Sequence, residues 1–282
     1  MSIRSANDRL IVFAGGRVRF SCDHARILEA VETHFKHCLG ENGPVIADYK
    51  ITAVDEIRFS ISVNGSDAIS KIAYEQAMQF LMQDGITRLN GESNTHLVFH
   101  AAALAYQGQG VILCGKSGSG KSTLAAWLTA DGMQYLTDEV ISLPLESEEI
   151  GGFCRSVILK KNSAFIWQRL LTNGNAKDIL HFEDGGAWIP PALLNASAVR
   201  ANVAPRILLF PQYVPGAQFH TQKLTPADAL FRLLQTLVNA RNFADGGMTA
   251  AARLARQSAA YTLTYSDIES AARWITQTAS TQ

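Results

Sequence analysis

The sequence predicts an α/β protein whose main domain is built on a mixed sheet, and three observations carry that prediction. Val111 to Cys114 form a short apolar run, followed by a glycine-rich turn and a stretch of good helix formers from Thr123 to Leu128. A second apolar run, residues 96 to 106, precedes it across the four residues "QGQG", too short for a parallel crossover, so the two strands must form an antiparallel hairpin. Residues 1 to 92 carry their own alternation of strand and helix periodicities, which makes a small N-terminal α/β domain ahead of a larger one at 93 to 282.

The chain has 282 residues, of which 47% are hydrophobic, enough for a sizeable core without staples. Its 25 basic and 25 acidic residues balance, and no block of like charge stands out, so nothing favours nucleic acid or an anionic membrane as the main partner. Cys22, Cys38, Cys114 and Cys154 are scattered without metal-ligand spacing. No segment has the apolar length of a membrane span or a signal core, and a reduced, cytoplasmic chain is expected.

In the N-terminal domain "RLIVFAG" and "RVRFSC" read as strands joined at Gly15 and Gly16, and Ala25 to Leu39 as an amphipathic helix ended by Gly40. "EIRFSISVNG" alternates as a half-buried strand, and a second helix is expected from about Asp67 to Gln83, stopping near Asp84 and Gly85. His34 and His37 lie one turn apart beside Glu32 and Lys36, which reads as a solvated face rather than a metal site. "GESN", residues 91 to 94, is the expected linker.

The turn itself fits G-x-x-x-x-G-K-[ST] from Gly115 to Ser122. Gly115, Gly118 and Gly120 let successive backbone N–H groups converge on phosphate oxygens, with Lys116, Ser117 and Ser119 between them. Lys121 supplies a positive charge, Ser122 a hydroxyl for Mg²⁺, and Thr123 opens a helix whose N-terminus favours anions. Pairing Tyr106 with Val111 would set His100 level with Ser117, as a phosphate or substrate contact or a core histidine.

After the loop helix, "YLTDEV" reads as a strand returning beside the loop strand and delivering Asp138 and Glu139 to the phosphate side. One acid has Mg²⁺ to hold and the other a hydroxyl proton to accept; like-charge repulsion favours Asp138 as base and Glu139 on the metal. Arg155 and Lys160 in "CRSVILKK" are either in-cis cations for transferring phosphate, Arg155 the better suited because its fork can bind phosphate twice, or part of a solvated strand edge.

These pieces together, "FHAAALAYQGQGVILCGKSGSGKSTLAAWL", "YLTDEV", "RSVILK" and "RILLFPQYVPGAQFHTQKLTPADALFRLL", resemble the HPr kinase/phosphorylase superfamily over most of residues 95 to 275. The resemblance implies a P-loop fold akin to that of HPr kinase and PEP carboxykinase, with ATP and Mg²⁺ as cofactors and γ-phosphate transfer to a hydroxyl. It also implies that Gly115 to Ser122 hold nucleotide and metal, that His100 lies near phosphate and that Asp138 activates the acceptor. Glu139 stands where the family usually has a second aspartate, and the glycine-rich signature that engages HPr is missing, which argues against HPr as acceptor.

The proline-rich stretches "AWIPPALL" and "RILLFPQYVPG" read as rigid loops, with Trp188, Phe210 and Tyr213 in a core or lining an acceptor pocket. Helix, helix, a strand around Tyr261 to Thr264 and a terminal helix follow. The expected partner is a peptide or small-protein acceptor, with a small hydroxyl metabolite, or a non-catalytic nucleotide sensor, as alternatives; homo-oligomerisation stays open.

Overall fold

The structure, a computed structural model, describes residues 6–163, 170–171, 176–197 and 199–281. The first sheet has the order β1-β2-β3-β4-β5, from β1 (Asp8–Phe13), β2 (Gly16–Cys22), β3 (Val45–Ala53), β4 (Arg58–Val63) and β5 (Ser66–Ala73). Helix α1 (Ala25–His34) links the parallel pair β2 and β3, and α2 (Tyr74–Glu92) packs across the sheet.

Two expectations fail here. Residues 66–73 are a strand and not the start of a helix, because Asn64 and Gly65 both have left-handed φ, 51° and 81°, and turn the chain back as a tight hairpin. The helix then runs through Gly85 instead of stopping there; the missing side chain lets α2 approach β2, where an added Cβ would stand 3.3 Å from Phe20.

The second sheet is mixed and carries nine strands. Its path is β6 (His96–Phe99), β10 (Ile141–Pro144), β11 (Ile150–Gly152), β15 (Asn202–Tyr213), β8 (Gln109–Cys114), β7 (Ala101–Tyr106) and β9 (Gln134–Thr137). β17 (Ala259–Tyr265) pairs with β15, and β16 (His220–Lys223) with β17. A three-stranded sheet, β12 (Val157–Leu159), β14 (Ala187–Ile189) and β13 (Leu180–His181), completes the strands among the described residues.

The hairpin forms as expected, with β7 antiparallel to β8 and β15 parallel to β8 on its other side. Only Gln107 and Gly108 turn, at φ 49° and 83°, so Tyr106 meets Gln109 and not Val111. β9 lies beside β7 rather than beside β8, since the hairpin partner already occupies that edge.

Pro211 sits inside the twelve-residue strand β15, contrary to the loop expected for "RILLFPQYVPG", and Pro205 lies in the same strand just ahead of that stretch. Both lie where β15 pairs in parallel with β8 or β17, with a register irregularity beside Pro205.

Side chains alternate across this sheet, and both faces are covered. Ile112, Cys114, Leu208 and Phe210 face α5 (Pro226–Leu234) and α6 (Met248–Gln257), where Leu233 and Leu254 are buried. Val111, Leu113, Ile207 and Leu209 face α3 (Lys121–Ala130) and α7 (Ile268–Ala279). A short helix, α4 (Pro191–Leu194), follows β14.

The N-terminal sheet does not stand apart from the larger one. Its core of Phe13, Phe20, Phe35 and Tyr49 continues into Val98, Val140, Phe153 and Trp188. The expected linker is also pinned, because Asn239 donates to the carbonyls of Ser93 and His96 at 2.9 Å and Asn242 to those of Gly91 and Ser93 at 2.8 Å. Among the described residues no helix is long and apolar enough to cross a membrane.

Candidate functional site

The loop between β8 and α3 has the backbone that its glycines require. Gly118 and Gly120 adopt φ of 84° and 95°, and Gly120 caps α3 from the left-handed region, with Leu124 N–H donating to its carbonyl at 2.9 Å. Lys116, Ser117 and Gly118 are exposed, whereas Gly115, Ser119, Gly120, Ser122 and Thr123 are half-buried. The loop is tied to the end of β15 by Tyr213 N–H, which donates to Ser119 O at 3.2 Å.

Lys121 is buried and folds back over its own loop, donating to Gly115 O at 2.6 Å and Lys116 O at 3.1 Å. Burial holds its ammonium below the ordinary lysine range, partly opposed by Glu139. The Thr123 hydroxyl meets Ser163 Oγ at 2.8 Å.

His100 sits in the break between β6 and β7, fixed by its N–H to Thr236 O at 2.7 Å. The true register places it beside Cys114 and Gly115, two residues from the expected level with Ser117; a shift of two preserves the face, so the ring still reaches the loop. Its Nε2 lies 3.3 Å from Lys121 Nζ and its Nδ1 3.4 Å from Glu139 Oε1. An ammonium can only donate, so Nε2 accepts and Nδ1 carries the proton toward Glu139. Burial, then Lys121, lowers the imidazole's proton affinity, and Glu139 raises it.

Asp138 and Glu139 leave the end of β9 together but face different surroundings. Glu139 keeps 37% of its side chain exposed, while Asp138 has none. Asp138 Oδ1 accepts from Tyr135 OH at 2.8 Å and from Arg155 Nη1 at 2.9 Å, and Oδ2 from Ile158 N–H at 3.3 Å.

Arg155 corrects both sequence readings of it. It is neither a solvated edge nor open to a bound phosphate: its side chain is 1% exposed and bridges Asp138, Glu139 and the Ser156 carbonyl.

His34 overturns its reading as well. It is buried, with Nδ1 2.9 Å from Ser156 Oγ and its ring 5.4 Å from that of Trp188. His37 is exposed as expected.

Trp188 belongs to the shared core, whereas Phe210 and Tyr213 line a cavity of about 650 Å³ that opens from the loop and His100. Arg232 of α5 and Gln235, which follows that helix, line it too, residues the sequence reading did not single out. Helical periodicity identified α5, but nothing local reveals which sheet end a helix will overhang. Cys114 lines the same cavity, and burial pushes its thiol up to about 12, which suits a packing role.

Among the described residues no three His, Cys, Asp or Glu side chains gather as a metal centre. Ser122 and Glu139 are hard oxygen donors, the set that suits Mg²⁺ when phosphates and water supply the remaining ligands. The inward-curled loop and Lys121 suit a polyphosphate.

Fold and site define an α/β protein with mixed sheets and a glycine-rich turn between strand and helix, flanked by a Lys-His-Glu cluster. No family model and no curated protein matches the chain. Among solved structures it is similar to the Hpr(Ser) kinase/phosphatase from Coxiella burnetii, at 14% identity and TM-score 0.31, over 64% of this chain and 91% of that one.

Proposed function

We propose that the chain is an ATP- and Mg²⁺-dependent phosphotransferase that moves the γ-phosphate to a hydroxyl, with a serine of a peptide or small protein as acceptor. The observation that carries the reading is the contact series from the glycine-rich loop through Lys121 and His100 to Glu139, at 3.3 and 3.4 Å, beside a cavity able to take an acceptor.

Loop N–H groups and Lys121 hold the phosphates and offset the charge that develops on the transferring group. The acceptor hydroxyl gives its proton to a carboxylate at the end of β9, its oxygen bonds to the γ-phosphorus, and the bridging oxygen leaves with ADP. Ser122, with the phosphates and water, would hold Mg²⁺, which would supply charge neutralisation there.

Incubation with γ-labelled ATP, Mg²⁺ and serine-containing peptides, against free serine and homoserine, tests the reading by where label accumulates. Label in peptides supports it, and label only in the free amino acids moves the acceptor to small metabolites. Tight nucleotide binding with no labelled acceptor would overturn the enzyme reading in favour of a sensor.

A further inference from the structure

We infer that the two acids divide their work: Asp138 is a positioning residue that acts through Arg155, and Glu139 is the carboxylate that meets the reacting groups. For its catalytic half this rests on the phosphotransferase reading above.

The argument is geometric. To take a proton from an acceptor, a carboxylate must offer an oxygen within about 2.6–3.2 Å of the hydroxyl. Asp138 offers none, since Tyr135 and Arg155 occupy Oδ1, Ile158 N–H occupies Oδ2, and its side chain has no exposed surface. Glu139 is arranged differently: Oε2 is anchored by Arg155 Nη2 at 3.2 Å, while Oε1 points to the His100 and Lys121 side.

Arg155 therefore works as a strut between the acids. Its Nη1 holds the buried one and its Nη2 the half-exposed one, and its buried Nε has no partner among the described residues.

The strut is seated on the N-terminal sheet. Phe153 packs edge-on against Phe13 and Phe35, at ring separations of 5.3 and 6.1 Å. Ser156 N–H donates to His34 O at 2.9 Å, and the Ser156 hydroxyl meets the His34 ring. The segment from Phe153 to Ser156 thus carries the N-terminal packing to the aim of Glu139. That gives the N-terminal sheet a task in the site although none of its described residues lines the cavity.

The test compares Asp138→Asn, Glu139→Gln and Arg155→Lys, each assayed for kcat and ATP KM at a temperature below its transition, with Tm measured alongside. Asn at 138 keeps an oxygen for Arg155, so kcat should fall only about 3–10-fold with ATP KM unchanged, whereas Glu139→Gln should lose about 10²–10⁴-fold. Arg155→Lys cannot span both acids and should lower kcat roughly 10–100-fold at unchanged ATP KM, a split that loss of fold alone would not give.

A loss of about 10³-fold or more in Asp138→Asn, with Tm and ATP KM as in the wild type, would overturn the inference, because it would mark direct contact with the acceptor. Unchanged kcat in Arg155→Lys would overturn it equally, and that arm decides the matter if Asp138→Asn does not fold.

Should the wild type turn over no ATP, the phosphotransferase reading falls by itself, and unfolding then judges the strut. The Tm losses of Asp138→Asn and Arg155→Met should be strongly non-additive in the double variant; additivity would contradict the strut.

Discussion

Replacing Gly120 by alanine probes how the loop is held against the sheet. Gly120 has φ 95°, and a Cβ there would run into the hydroxyl of Tyr265, a side chain only 2% exposed at the end of β17. Left-handed backbone costs an alanine about 1–2 kcal/mol. Forcing a methyl into a packed contact adds about 1–3 kcal/mol, so Gly120→Ala should destabilise by about 2–5 kcal/mol in urea unfolding. The double variant with Tyr265→Phe removes the obstructing oxygen and leaves only the backbone term, returning the cost to about 1–2 kcal/mol. A single-variant cost under about 0.5 kcal/mol, or no relief from Tyr265→Phe, would refute the loop conformation and its contact with β17.

Three further outcomes follow from the packing and the charges. Burial lowers the pKa of His34 to about 4, so the unfolded chain takes up its proton near pH 6.5 while the folded one resists. Stability from this group is therefore full above pH 6.5 and is lost as pH falls to 4, by about 3 kcal/mol in all, and urea midpoints of His34→Gln should show a shallower pH slope than the wild type; equal slopes would contradict it. Phe153→Ala should cost about 3–5 kcal/mol and, because the core runs through both sheets, should lower a single cooperative unfolding transition rather than split it in two. Gly85→Ala should gain nothing from helix propensity, since its methyl meets Phe20; a gain of about 1 kcal/mol in Tm-derived stability would show that α2 stands off the sheet.

Local chemistry explains what the sequence reveals and what it conceals. The glycine-rich loop, the strand before it and the antiparallel hairpin were legible because glycine positions and a four-residue connection leave few geometries. The register was missed by two residues because "QGQG" holds two candidate turn pairs, and only Gln107 and Gly108 take left-handed backbone. Asn64 and Gly65 carried a strong hairpin signal, which the helical spacing of the apolar residues after them obscured.

The site shows the same limit. Lys121, His100 and Glu139 meet because backbone connectivity brings them together. That Arg155 and His34 are buried depends on the N-terminal sheet packing onto residues 153–156, a contact between distant segments that no local pattern encodes.

Calorimetric titration of the wild type and Lys121→Met with ATP and Mg²⁺ tests the central claim most directly, since it asks only whether the loop grips phosphate. The account predicts saturable binding that weakens roughly 10–100-fold when the ammonium is removed, the worth of one charged hydrogen bond. Absent binding, or equal affinity in the two proteins, would contradict it.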